Sequence, residues 1–134
     1  MPDKRLIDLL ILNGTVVTVD KHRRVIRKGA IAISKNKIKE VGKSSSLASK
    51  YRAKRTYNAI QKLVMPGLIN SHIHFYHHMH RGLSPENLNG MPWSDFVHRN
   101  VATIVEPDDE IWGGLGILVE TLKTGGTTFL EAGS

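Results

Sequence analysis

The sequence predicts an α/β protein in two parts, a small β-module followed by a strand–helix–helix–strand succession. Charge divides the chain. Residues 1–62 carry 16 Lys and Arg against 4 Asp and Glu, and residues 63–134 carry 3 against 8. Hydrophobic patterning divides it at the same place, from short alternating segments to apolar runs and a helical stripe. Five of the seven histidines fall between 72 and 80, just beyond that boundary.

In the first part, LIDLLILNGTVVTV (6–19) predicts two short strands about a turn at Asn13-Gly14, the strongest short hairpin signal. GAIAISKNKIKEVG (29–42) reads the same way: alternating residues, a Lys-Asn turn, and alternation again, as in half-buried antiparallel strands. Residues 44–56 are Ser- and Lys-rich, with a helical turn predicted at Leu47–Lys54.

In the second part, KLVMPGLIN is apolar at successive positions, as expected of a strand buried on both faces in a parallel sheet. PWSDFVHRNVATIV (92–105) suits a helix with Trp93, Phe96, Val97 and Val101 on one side. Pro107 fits a first helical position, and Asp108, Asp109 and Glu110 fit the positive end of the helix dipole. Ile111, Leu115, Leu118, Val119 and Leu122 form a stripe, and Gly125 and Gly126 stop the helix. TTFL then reads as a second buried strand, giving the alternating order of a parallel α/β sheet.

Composition excludes several classes. The absence of cysteine rules out disulfides and thiolate metal sites. No apolar run is long enough to span a membrane. The apolar N-terminal patch is broken by Asp8 and lacks a small-residue cleavage site, so a cytoplasmic protein is expected. The net charge of +7 sits in the first part, but its basic residues alternate with apolar ones. That pattern fits solvent-facing faces of strands better than a nucleic-acid surface.

His72 and His74 stand two apart at the end of a predicted strand. Side chains at i and i+2 share a face, with Cα atoms about 6.6 Å apart. Two imidazoles so placed can lean onto one ion through bonds of about 2.0–2.1 Å. The bland reading of the pair is two partly buried, hydrogen-bonded histidines.

MPGLINSHIH, Arg81-Gly82 beyond it, and GGTTFLEAG after a helix resemble the start of the amidohydrolase superfamily. More narrowly they are similar to its cytosine, guanine and adenosylhomocysteine deaminase and triazine chlorohydrolase branch. Tyr76 stands where the dihydroorotase and hydantoinase branch carries an arginine.

The resemblance implies the start of a (β/α)8 TIM barrel, its first two β/α units at 63–134, preceded by part of a small β-sandwich at 1–62. It implies His72 and His74 as ligands of a divalent metal, zinc first and iron second. Activated water then attacks an sp² carbon of a cyclic amidine or nucleobase-like small molecule, and a C–N bond is hydrolysed. His77 matches a position that contacts substrate in relatives. Arg81 either braces its loop or meets an anionic substrate group. The remaining ligands and the proton-moving glutamate are expected beyond Ser134, so no catalytic residue is expected in the chain, which is read as an inactive N-terminal fragment. Roles for His78 and His80 are left open. Glu131 reads as a strand-end carboxylate that could touch substrate, and His22 and His98 as solvated. Homo-oligomerisation stays open, as do two other readings: a non-catalytic basic module that binds nucleic acid, and a structural or assembly fragment.

Overall fold

The computed structural model describes residues 4–82, 86–101 and 103–133, without the side chains of Tyr76 and His80. The chain falls into two compact units, Met1–Pro66 and Gly67–Ser134, each with its own sheet.

In the first unit β1 (Arg5–Val17) is central. β2 (Val25–Ser34) and β3 (Lys37–Lys43) form the antiparallel hairpin expected from their alternation, and β2 pairs antiparallel with β1. α1 (Ser44–Lys50) leads to β4 (Tyr51–Asn58), which runs parallel to β1. β5 (Leu63–Val64) also pairs parallel with β1.

Two expectations are corrected here. Asn13-Gly14 makes no hairpin. β1 runs straight through it, with a register irregularity on either side of Gly14 and Asn13 at φ 65°. A bulge needs the same left-handed backbone as a tight turn, so the dipeptide signal is shared between the two. The bulge lies where β1 exchanges partners, from β4 at Leu12 to β5 at Thr15. A Cβ on Gly14 would lie 2.8 Å from Val64 Cγ2, which leaves room for glycine alone. Asn13 N–H donates to Ser44 Oγ at 2.8 Å, and that hydroxyl donates to Gly29 O at 2.9 Å. The helical turn expected at Leu47–Lys54 begins and ends earlier, and Tyr51 onward is strand. Tyr51 and Leu47 are both drawn into the core with Ile7, Leu10, Ala30 and Ala32. Burial of that cluster overrides the weak local helix preference.

Beside this core Tyr51 O–H donates to Glu40 Oε2 at 2.8 Å, and Lys50 pairs with the same carboxylate. The Lys50 contact holds the Glu40 carboxyl below its usual 4.5. The bond to Glu40, aided by burial, pushes the Tyr51 phenol above 10.0. A lowered acid stabilises the fold above its unfolded pKa, and that contribution is lost as pH falls through the folded value. A raised phenol stabilises below pH 10.0 and loses its contribution as pH rises through its folded value. Tyr51→Phe is therefore expected to have a lower Tm than wild type at neutral pH, with the gap narrowing above pH 10.0. A gap unchanged at the alkaline end in thermal melts would contradict this.

In the second unit β6 (Leu68–Ile73) passes into a 3₁₀ segment, Phe75–His80. α2 (Trp93–Phe96) continues as a π-helical turn, Val97–Val101, and α3 (Pro107–Lys123) leads to β7 (Gly126–Glu131). β6 and β7 pair in parallel, as the alternating order predicts. α3 opens with a capping box between Glu106 and Asp109.

Three expectations change. The apolar run KLVMPGLIN is divided, Leu63–Val64 joining β1 and Leu68 onward forming β6. Neither β6 nor the second strand, β7, is buried on both faces, since Leu68 is 53%, Ile69 73% and Leu130 64% exposed, each strand having the other as its strand neighbour among the described residues. The apolar stripe of α3 also points outward: Ile111, Leu115, Val119 and Leu122 are exposed, while Gly113, Gly114 and Ile117 are buried. The glycines make a groove for the 3₁₀ segment. Added Cβ atoms would meet Met79 Cγ at 3.0 Å and Phe75 Cδ2 at 3.3 Å. Periodicity counts side chains, so a surface made by lacking them is invisible to it.

Candidate metal centre

His72 is the fifth residue of β6, and His74 follows Ile73 in extended backbone, φ −116° and ψ 113°. The strand period therefore carries past the strand end and turns both rings to one side. Their Nε2 atoms are 3.2 Å apart, with ring centroids at 5.0 Å and planes at 75°. Two bonds of about 2.05 Å meeting at a tetrahedral angle need donors roughly 3.3 Å apart. The spacing fits, and it equally fits one imidazole donating to the other.

His74 Nδ1 lies 2.8 Å from Gly133 O. A carbonyl only accepts, so Nδ1 carries a hydrogen, and in the neutral ring this leaves the lone pair on Nε2. This is how metal-binding histidines are commonly held. His72 N–H donates to Asn70 Oδ1 at 3.2 Å.

The other predicted residues surround this pair unevenly. The half-buried His77 ring sits 4.9 Å from that of His74 and 6.5 Å from that of Trp93. Phe75 packs on Phe129 of β7 at 4.8 Å, beneath the 3₁₀ segment. Arg81 pairs with Glu120 on α3 at 2.7 Å, and this guanidinium holds the Glu120 carboxyl below its usual value. This pair ties the residue after the 3₁₀ segment to α3. His78 stacks over Gly116. Its buried Nδ1 has no hydrogen-bond partner among the described residues and lies 3.8 Å from Glu120 Oε2. The side chain of His80 lies outside the described residues. His22 and His98 are exposed.

One participant escapes sequence reasoning, and a second makes contacts that reasoning did not assign to it. Gly133 acts through its carbonyl, which every residue has. Glu131 acts through contacts with the backbone of Phe75 and Gly133. The written signal for both is the Glu-Ala-Gly string that begins at the last residue of β7.

Among the described residues no three His, Cys, Asp or Glu side chains are grouped to hold a metal, so the pair offers two donors. Likewise no helix there is long and apolar enough to cross a membrane.

The sequence model of the Amidohydrolase family matches residues 63–134, more than half of the chain. The chain belongs to the amidohydrolase family. Over 125 residues this amidohydrolase is 37% identical to a 5-methylthioadenosine/S-adenosylhomocysteine deaminase of Syntrophobacter fumaroxidans, covering 92% of this chain and 28% of that protein. A second such deaminase, from Syntrophus aciditrophicus, is 32% identical over 93% of this chain and 28% of its own length. The amidohydrolase chain thus spans a little over a quarter of these relatives.

Among solved structures it is similar to an adenosine deaminase from Xanthomonas campestris with bound zinc. The TM-score is 0.85 at 26% identity, over 96% of this chain and 29% of that one. It is also similar to the atrazine chlorohydrolase of Arthrobacter aurescens TC1 complexed with zinc, with TM-score 0.74 at 28% identity, over 92% and 28%. Its relatives are thus hydrolases and deaminases, and its own architecture is mixed α/β.

Proposed function

We propose that His72 and His74 supply the first two ligands of a divalent metal, zinc foremost, in a hydrolase acting on non-peptide C–N bonds. The observation that carries this reading is the 3.2 Å approach of two Nε2 atoms, one with its lone pair fixed by a backbone carbonyl. On the same reading β6 and β7 are the first strands of a (β/α)8 barrel within 63–134. Residues 1–62 then belong to a flanking β-sandwich. Active sites of that barrel lie at the C-terminal ends of its strands, which is where β6 delivers the pair.

A divalent ion held there supplies Lewis acidity, lowering the pKa of water from 15.7 toward about 7. The chain's own residues bind and orient. His72 and His74 present nitrogen donors, and Gly133 fixes one of them. His77 and Trp93 offer an aromatic wall beside the pair for a flat, nucleobase-like small molecule. Arg81, tied to Glu120, anchors the end of the 3₁₀ segment to α3. A cytoplasmic setting accompanies this reading.

Zinc titration of the 134-residue chain, followed through its imidazole ¹⁵N signals, tests the assignment. His72 and His74 are expected to shift together and first. Shifts confined to other histidines would overturn it. Two donors hold zinc weakly and leave most of its coordination to water. The chain alone is therefore expected to release no ammonia above buffer from 5-methylthioadenosine or S-adenosylhomocysteine with zinc added. Turnover that disappears in His74→Ala would refute that expectation.

A further inference from the structure

β7 ends in a hook that reaches back to the residues around His74. Ala132 N–H donates to Ile73 O at 2.9 Å, extending the ladder one step past the Ile73–Glu131 pair. Glu131 Oε2 then accepts from Gly133 N–H at 2.6 Å. Its Oε1 lies 3.5 Å from the N–H of Phe75, the residue directly after His74. Gly133 stands at φ +96°, a backbone angle that L side chains rarely adopt. An added Cβ there would meet nothing within 4 Å, so the position requires glycine for its angle and not for space. That angle aims the Gly133 carbonyl at His74 Nδ1.

We propose that Glu131 is a positioning residue for His74. Its carboxylate holds the Gly133 N–H by one oxygen and faces the start of the 3₁₀ segment with the other. The Gly133 carbonyl that selects the His74 tautomer lies in the next peptide plane, so holding that N–H restricts how far the carbonyl can swing from the ring. The neutral histidine side chain in water prefers its hydrogen on Nε2, the nitrogen that faces His72 here. The clamp reverses that preference and leaves Nε2 as a donor of electrons. Glu131 touches neither metal nor substrate in this role. The 2.6 Å bond to Gly133 carries the inference, and the long Phe75 contact is secondary. Its use in metal binding rests on the assignment of His72 and His74 as ligands.

The test reads the tautomer directly in metal-free protein by long-range ¹H–¹⁵N spectra of the imidazoles. Wild type is expected to show His74 protonated at Nδ1. In Glu131→Ala the Nε2-protonated form is expected to dominate. Glu131→Gln keeps one carbonyl acceptor and is expected to show a mixture. Backbone amide spectra of residues 126–130 establish that β7 remains folded. Zinc affinity in Glu131→Ala is expected to fall about 10-fold or more, the usual cost of removing an outer partner of a ligand. Wild-type His74 signals in both folded variants, or in Glu131→Gln alone where Glu131→Ala does not fold, would overturn the proposal. The metal assignment is judged separately, by whether wild type takes up zinc at His72 and His74. A wild type that ignores zinc yet shows the tautomer change in Glu131→Ala would sink the assignment and leave the positioning role standing.

Discussion

Leu47→Ala is expected to lower the stability of the β-unit by about 2–5 kcal/mol, the range for deleting a buried leucine whose site cannot collapse. Leu47 is 1% exposed and packs with Ile7, Leu10, Ala30, Ala32 and Tyr51. The reason to expect a cost toward the upper end is the size of its neighbours. Ala30 and Ala32 have no further atoms to send into the space, and both are locked in the centre of a paired strand. Gly42 is so close that a Cβ there would already lie 3.0 Å from Leu47 Cδ1. The void would therefore persist. Urea unfolding followed by the amide signals of Ala30 and Ala32 measures it. Ile38→Ala, at a side chain 63% exposed, is the comparison and is expected within about 0.5 kcal/mol of wild type. A Leu47→Ala loss no larger than that of Ile38→Ala would mean that α1 is not seated on the sheet as described.

The second large effect is expected at the histidine pair. His72→Ala and His74→Ala should each weaken zinc binding by at least about 10-fold, toward that of a lone exposed imidazole. The double variant should be little weaker than either single one. Residues acting as one chelating unit lose most of their value when the first is removed. The two singles differ in a second respect. His72→Ala leaves the His74–Gly133 bond intact, so the His74 tautomer should be unchanged. Calorimetric zinc titration of the four proteins reads the first point, and imidazole spectra read the second. Losses that simply add would indicate two independent surface sites in place of a shared one.

How much of this was legible in the sequence depended on the range of the interaction involved. The β2–β3 hairpin, the start of α3 at Pro107 and the parallel order of β6 and β7 follow from local periodicity and end signals. The histidine pair follows from the period of two along a strand. The Asn13-Gly14 bulge was misread because the dipeptide encodes a backbone angle, and the same angle serves a turn or a bulge. The outward stripe of α3 was misread because Gly113 and Gly114 make contact by what they lack. The hold on His74 comes from a carbonyl 59 residues along the chain. No side chain announces such a partner, and only pairing of β6 with β7 brings it near.

The exchange of neighbours along β1 has a bearing on which length changes the protein can absorb. A single strand serves two parallel neighbours laid end to end, and the joint between them falls at Asn13 and Gly14. Because successive side chains face opposite ways, one residue inserted or lost at that joint would swing Val16, now 2% exposed, out to water. Every position of β5 would lose its counterpart at the same time. Residues 18–24, between β1 and β2, are largely exposed and lie beyond that joint, so insertions between relatives are expected to collect there and to spare the joint.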